Sequence, residues 1–581
     1  MRKNVNWRIG VILVFVIVVG AAIISRLFFL QILQGKLYGA QALGQQVAFS
    51  DVTGSRGQIF CQSSQKTKGN GESSGGVKSL VINKDSWTIS VNPKDISDKL
   101  AFAEILSNSI GQGTEGYLDE ILSKINSQDS YVIIKKDLSS EDLNKIKALK
   151  LKGLSWQNTP DRYYPQGQMA SQTLGFLGGG GSGQYGIEGY YDEILKGKSG
   201  IQEQKSGLGS IFSNGEQISL DGSDIYLTID YSIQFQAESL LKQEKEKNDI
   251  DSGQIIVMRP DTGKILALAN FPNFNPNQYS KEADMAIFQN SAVQKLFEPG
   301  SIMKPFTMAA AMNEGKITPD TTYIDTGVVT FGSKSIHNFA DGIYGEQTMT
   351  KVLENSINTG AVFAEQQISH KVFFSYIEKF GFTSKTGVDL QGEVSSHNDA
   401  LKSGPDVNFA TASFGQGIEL TPMQIARGFC ALANGGKLVK PYIVEKIVQG
   451  QDEVYTKPEV SDPVVSQQTL SQLTPMLINV IDGGLKRIGK IPGYYLAGKT
   501  GTAQVPLKNS KGYEPDKTIQ SFVGFGPAFN PQFLIMVKLD NPKVSKSALS
   551  AVPVFKQLAQ YIINYWQIPP DYDPNSVIDK K

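Results

Sequence analysis

Apolar positions fall into three regimes along the chain. Near the N-terminus they are continuous: 17 uncharged residues, 9–25, run between Arg8 and Arg26, and 27–30 extend the stretch to 22 positions with one interruption. At 1.5 Å per residue such a segment covers about 33 Å, enough to cross a hydrocarbon core. It predicts a transmembrane helix over 9–30, with Arg26 snorkelling to the interface. Arg2, Lys3 and Arg8 precede it with no acid among them, which predicts a cytoplasmic tail at 1–8 and a chain that otherwise lies outside the cytoplasm. A cleaved signal peptide is the rival, with Gly20, Ala21 and Ala22 as small residues. The apolar run is longer than a signal core of ~7–15 residues and continues past any such cut.

From about residue 31 the pattern becomes short and mixed. Residues 30–46 read as a membrane-proximal helix, and 62–76, rich in Gly, Ser and Lys, as a flexible loop. Strand-length runs at 79–82, 87–91 and 131–134 alternate with helix-length runs at 96–107, 115–125 and 140–148. Residues 178–183 satisfy GxGxxG, but Gln184, Tyr185 and Gly186 are a poor helix start, so a loop is expected rather than a nucleotide site. The third regime begins near 221, with a strand at 225–229 and a helix at 232–247. A β-hairpin follows, from 254–258 and 265–269 around the turn at 259–263. A mostly helical middle runs to about 434. Strand-like runs return at 494–497, 521–525 and 533–539, then a helix at 551–566 and an extended, Pro-rich tail from 567. Strands at both ends with helices between them predict an α/β domain whose terminal strands meet in one antiparallel sheet.

Composition narrows the function. Lys+Arg and Asp+Glu both number 56, so the basic surplus of a dedicated nucleic-acid binder is missing. Hydrophobic residues make up 40%, enough for a sizeable core. The three histidines, His337, His370 and His397, lie far apart, with no HExxH and no Cys/His cluster, so no metal is expected. Cys61 and Cys430 are no disulfide framework, though one long-range bridge stays open.

Three short motifs carry candidate chemistry. In the first, FEPGSIMKPF over 297–306, Ser301 and Lys304 sit at i and i+3 and share a helix face. Pro299 and Gly300 suit a helix start, and Pro305 is tolerable in a first turn. A serine hydroxyl needs a base to take its proton, and a desolvated lysine can be neutral enough to serve. The apolar, Gly/Pro-framed setting distinguishes this SxxK from a solvated surface pair. The second motif is Ser356-Ile357-Asn358, after a helix-like 349–355. Its serine can relay a proton, and its asparagine can orient a lysine and a substrate amide. The third is Lys499-Thr500-Gly501-Thr502, after the run at 494–497: the glycine permits close approach by a ligand, and the lysine and threonine hydroxyls suit a carboxylate. SxxK, SDN and KTG together are the signature of class A β-lactamases and penicillin-binding proteins, here with Ile357 in the middle position.

On these motifs the chain resembles a class B penicillin-binding protein, the monofunctional peptidoglycan D,D-transpeptidase. RLFFLQ at 26–31 with Gly35 and Tyr38, RGQI at 56–59, RYYP at 162–165, GFLG at 175–178 and GIE at 186–188 resemble the family's membrane exit and N-terminal pedestal. ASFGQG at 412–417, Thr421-Pro422 and SFVG at 521–524 resemble its catalytic domain. Phe60-Cys61 depart from the family's usual continuation, so different pedestal contacts are expected there, and tandem repeat domains after Trp566 are not expected. Length and the SFGQG segment lean towards the cell-division type over the cell-shape branch.

The resemblance implies an α/β (α+β) transpeptidase domain over 216–566, with a five-stranded antiparallel sheet flanked by helices. It also implies an elongated mixed α+β pedestal, dimerisation-like, over 31–215, and an extended tail over 567–581. It implies Ser301 as nucleophile, Lys304 as general base, and Ser356, Asn358 and Lys499 in proton transfer and orientation. Thr500, Gly501 and Thr502 would bind substrate, with the Ser301 and Thr502 N–H groups as oxyanion hole. Implied partners are stem peptides ending in D-alanyl-D-alanine, β-lactams and a membrane glycan polymerase. No cofactor is implied, and the place is the bacterial cell membrane, single-pass, with the catalytic domain extracytoplasmic. A D,D-carboxypeptidase, a serine β-lactamase, a β-lactam sensor and a catalytically silent divisome scaffold remain as alternatives.

Overall fold

The structure, a computed structural model, describes residues 5–28, 50–63, 76–110, 116–158, 161–202, 221–485, 487–507 and 512–574. The expected helix at 30–46 and most of the loop at 62–76 lie outside these residues. The chain divides into two compact units: Met1–Arg56 with Lys196–Gly222, and Gly57–Leu195 with Ser223–Lys581.

In the first unit, Val5–Phe28 is one α-helix of 24 residues, and Ser50–Thr53 pairs antiparallel with Ser199–Gln202. Among the described residues no helix is long and apolar enough to cross a membrane. The side chains at 5–10, 12, 13, 15, 18 and 22 lie outside that set. The transmembrane expectation over 9–30 thus gains a helix but no span among the described residues.

The second unit is built around a five-stranded antiparallel sheet. Its order is Ile265–Phe271, Ser252–Met258, Phe533–Asp540, Tyr513–Gly526, Ala497–Pro506. The inner strands are buried on both faces, which is why they read as continuous apolar runs. Period-2 alternation then splits them between two cores. Ile255, Val257, Ile535 and Val537 face one core, with helices Tyr231–Asn248 and Ala551–Trp566. Ile256, Met258, Leu534 and Met536 face the other, with helices Lys304–Asn313, Pro422–Ala433 and Gln467–Asn479. Each such side chain contributes about 1.5–3 kcal/mol by leaving water.

A second, six-stranded sheet runs Asp452–Tyr455, Val444–Gln449, Asp224–Asp230, Ile59–Ser63, Gly76–Lys84, Asp161–Tyr163. Only the pair Asp224–Asp230 with Ile59–Ser63 is parallel. The unusual Phe60-Cys61 does not break this sheet: Phe60 stacks on Tyr226 at 4.8 Å between ring centres, and Cys61 is buried. Arg162 and Glu188 form a buried ion pair of 2.7 Å. A third sheet, Val132–Leu138, Trp87–Val91 and Leu154–Asn158, packs with the helices Lys99–Ile110, Tyr117–Ile125 and Ser140–Ala148 around its own core.

Several expectations need correction. The helical middle is interrupted by two small ladders, Thr322–Asp325 with Gly345–Thr348 and Val328–Phe331 with Lys334–His337. Four-residue, largely exposed strands are too short and too polar to register as a period. Further strands fall between 434 and 494, among them Val444–Gln449 of the six-stranded sheet. The run at 494–497 is not a strand; the strand begins at Ala497 and carries the KTG residues within it. A five-residue helix, Gly186–Tyr190, does follow the GxGxxG stretch, which is itself the tip of a hairpin. Both cysteines are free and buried, so no bridge joins them. The tail is anchored up to 574: Tyr495 N–H donates to Asp571 at 2.8 Å, and Asp571 N–H to the Gly493 carbonyl at 2.8 Å.

Candidate active site

The SxxK residues bridge two kinds of helix. Ser301 lies in a 3-10 turn, Gly300–Met303, and Lys304 opens the α-helix Lys304–Asn313, with Pro305 in its first turn. In a 3-10 turn i and i+3 eclipse, which aligns Ser301 with Lys304 more closely than an α-helix does. Gly300 has φ +60, a region costly for other residues, and its N–H donates to the Gly415 carbonyl at 2.9 Å. A Cβ on Gly415 would lie 2.1 Å from the Gly300 carbonyl oxygen. The SFGQG segment is therefore pressed against the turn.

Lys304 and Lys499 are both fully buried. Lys304 Nζ donates to the Ser356 carbonyl at 2.5 Å, to Ser356 Oγ at 3.3 Å and to Asn358 Oδ1 at 2.9 Å. Lys499 Nζ donates to Ser356 Oγ at 2.9 Å, to the Thr500 carbonyl at 3.2 Å and to Thr500 Oγ1 at 3.3 Å. Ser356 ends the helix Met349–Asn355 in a left-handed conformation, φ 58, a strained state for serine that presents both its oxygens to lysine. Burial pushes the Lys304 ammonium well below its ordinary range, and the Lys499 charge pushes it further. Burial brings Lys499 down to about 7.

Asn358 opens the helix Asn358–Gln366. Its Nδ2 donates to the His337 carbonyl at 3.0 Å, which turns Oδ1 towards Lys304. The KTG strand is the edge of the five-stranded sheet. A Cβ on Gly501 would meet Ser521 Oγ at 2.4 Å and the Pro299 carbonyl at 2.9 Å, so only glycine lets the strand pass the nucleophile turn. Ser547 Oγ donates to the Gly501 carbonyl, which commits its one proton. Thr502 is therefore the donor in its 2.8 Å contact with Ser547. Thr500 Oγ1 accepts from Lys499 and keeps its own proton.

Ser301, Ser356, Asn358, Thr500 and Thr502 line one cleft of about 1120 Å³, with Lys304 and Lys499 beneath its floor. Seven of the eight residues singled out from sequence thus meet here, and the eighth, Gly501, sits in the strand between Thr500 and Thr502 against the nucleophile turn. Sequence reasoning missed Ser547, Asp325, Asn338 and Glu298. Glu298 is held by Gly417 N–H at 2.9 Å and by the Tyr513 hydroxyl at 3.1 Å, and burial raises its carboxyl. It lies inside the FEPGS string, a usable signal; the others stand in segments with no pattern.

Residues 253–560 match the penicillin binding protein transpeptidase domain, and residues 56–227 match the penicillin-binding protein dimerisation domain. Stage V sporulation protein D of Bacillus subtilis is 31% identical over 548 residues, covering 93% of this chain and 82% of that protein. A probable peptidoglycan D,D-transpeptidase of Pseudomonas aeruginosa, PbpC, is 27% identical over 587 residues, covering 99% and 98%. The crystal structure of penicillin binding protein 3 of Mycobacterium tuberculosis complexed with aztreonam superposes with a TM-score of 0.64 at 28% identity, covering 73% of this chain and 94% of that one. With a dimerisation domain ahead of a transpeptidase domain, the chain belongs to the penicillin-binding protein transpeptidase family, in its class B arrangement.

Proposed function

We propose that this chain is a peptidoglycan D,D-transpeptidase that cross-links stem peptides through a serine acyl-enzyme and is acylated by β-lactams. The observation that carries it is the meeting of two buried lysines on Ser356, below the cleft that Ser301 lines. Neutral Lys304 takes the Ser301 proton as Oγ attacks the carbonyl of the penultimate D-alanine. The C–N bond breaks, and the departing D-alanine amine receives a proton through Ser356 and Lys499. Ser301 and Thr502 N–H groups stabilise the oxyanion. Thr500, whose hydroxyl accepts from Lys499 below it, donates to the terminal carboxylate, and Thr502 joins it when its hydroxyl turns from Ser547. An amine of a second stem peptide then attacks the ester, forms the cross-link and releases Ser301.

The finer readings rest on the sequence. Residues 9–30 form a single-pass anchor in the bacterial cell membrane, with 31–215 and 216–566 as extracytoplasmic pedestal and catalytic domains. Exposure of Val11, Val16, Val19 and Phe28, which lie on different sides of their helix, supports that reading, because apolar side chains left uncovered by protein suit lipid. A membrane glycan polymerase is the proposed partner of the anchor and pedestal.

The test is fluorescent-penicillin labelling of residues 31–581 beside the Ser301→Ala variant. Labelling of the wild type alone is expected. Equal labelling of the variant would remove Ser301 from its role, and labelling of neither would favour a silent scaffold. Incubation with stem peptides then separates cross-linking from bare release of D-alanine.

A further inference from the structure

The two small ladders between the nucleophile helix and the Ser356 segment carry a pair of buried residues, Asp325 and Asn338, with 2% and 4% of their surface exposed. Asn338 Nδ2 donates to both Asp325 carboxylate oxygens at 3.0 Å and to the Gly342 carbonyl at 3.0 Å. Its Oδ1 accepts from the backbone N–H of Asn358 at 3.0 Å and of Thr359 at 3.1 Å. This orientation is forced. A carboxylate and a carbonyl only accept, so the NH₂ must face them, and the oxygen must face the two amides. Asp325 is fixed in turn by Gly327 N–H at 3.1 Å, Tyr344 N–H at 2.8 Å and the Thr359 hydroxyl at 2.6 Å. Together these bonds outweigh the effect of burial and keep its carboxyl below the usual range.

The neighbouring His337 carbonyl holds the Asn358 side chain. One dipeptide, His337-Asn338, therefore grips Asn358 by its backbone and its side chain together. All three acceptors of Lys304, namely Ser356 O, Ser356 Oγ and Asn358 Oδ1, lie on the three residues 356–358. Whatever sets the place of Asn358 sets the cradle of the base.

We infer that Asn338, locked by Asp325, is a positioning residue for acylation: it holds the 356–358 segment so that Lys304 stays aligned on Ser301. This rests on the transpeptidase reading above. A helix cap with no role in the chemistry would cost stability alone. A positioning residue would cost the chemical step, since a displacement of about 1 Å in a catalytic group can slow a reaction by ~10²-fold.

The test is stopped-flow acylation of the full chain by fluorescent penicillin, resolved into the dissociation constant of the encounter complex and the acylation rate constant k2. Wild type, Ser301→Ala, Asn338→Ala and Asn338→Ser are compared, with near-ultraviolet circular dichroism to show that each is folded. The serine variant keeps a polar group but is too short to reach both Asp325 and the two amides. Folded Asn338 variants are expected to lose about 10- to 100-fold in k2, with the dissociation constant within about threefold of wild type. A k2 within about twofold of wild type, a loss in affinity alone, or failure of both variants to fold would overturn the inference. An unlabelled wild type would instead overturn the transpeptidase reading.

Discussion

Lys304 and Lys499 are fully buried, and both donate to Ser356 Oγ. Taking an ammonium out of water costs several kcal/mol, and the acceptors waiting here are serine, threonine and asparagine oxygens. Two charges over one hydroxyl are not sustained near neutral pH, so the site holds a free amine where a proton acceptor is needed. Lys304→Met keeps an unbranched chain and discards the buried amine. It is expected to cut acylation by ~10²–10⁴-fold while raising the melting temperature, as measured by labelling and calorimetry. Lys499→Ala removes the second cause that depresses Lys304. The proton affinity of Lys304 then rises, and the acid limb of the pH profile for acylation moves to higher pH. A move to lower pH would contradict the assignment of Lys304 as base. Three motifs made seven polar residues of the site and Gly501 legible, because each pairs a reactive side chain with a helix start or a glycine. Asp325 and Asn338 left no such trace: a polar residue at or just past the end of a four-residue strand reads the same whether it faces water or a buried polar partner.

The elements around the site are set by close backbone approach as much as by apolar packing. Gly415 has φ +85, and a Cβ there would collide with the Gly300 carbonyl. Gly415→Ala is expected to cost about 1–3 kcal/mol in a urea titration and to slow acylation, because the clash falls on the backbone of the nucleophile turn. An unchanged acylation rate would show that the loop yields instead. Helix Ala551–Trp566 could be read from its sequence to the residue, since Val552, Phe555, Ala559 and Ile562 repeat on one face and fill one core. The start of the KTG strand could not. Ala497–Pro506 is an edge bordering a cleft, and Gly498 and Gly501 there make room for the Phe522 ring and for the nucleophile turn instead of continuing an alternating apolar pattern.

At the scale of the molecule, the six-stranded sheet joins residues that the linear reading assigned to different domains. Ile59–Ser63 lies in parallel against Asp224–Asp230, whose other edge pairs with Val444–Gln449. Ile225 and Leu227 are wholly buried there. A chain of residues 223–574 is expected to melt at least about 10 °C lower than 50–574 and to aggregate through the edge it uncovers. Light scattering during a thermal ramp checks this; equal melting would show that the catalytic part needs no N-terminal strands. Period and turn chemistry gave two of these six strands, at 79–82 and 225–229; the others are too short or too polar to show a period. Their order was not legible, because pairing across more than two hundred residues, as between Asp224 and Val448, leaves no local mark.

That same strand order has a consequence in time. Ribosomes add about 5–20 residues per second, so Asp224–Asp230 emerges roughly ten seconds or more before Val444–Gln449, its neighbour on one side. Throughout that interval the nascent chain carries a finished strand with one bare, β-rich flank. The segment that closes it is made more than two hundred residues later. Synthesis of this protein therefore includes a waiting period in which a holdase, or slow delivery of the chain, is worth more than fast local folding.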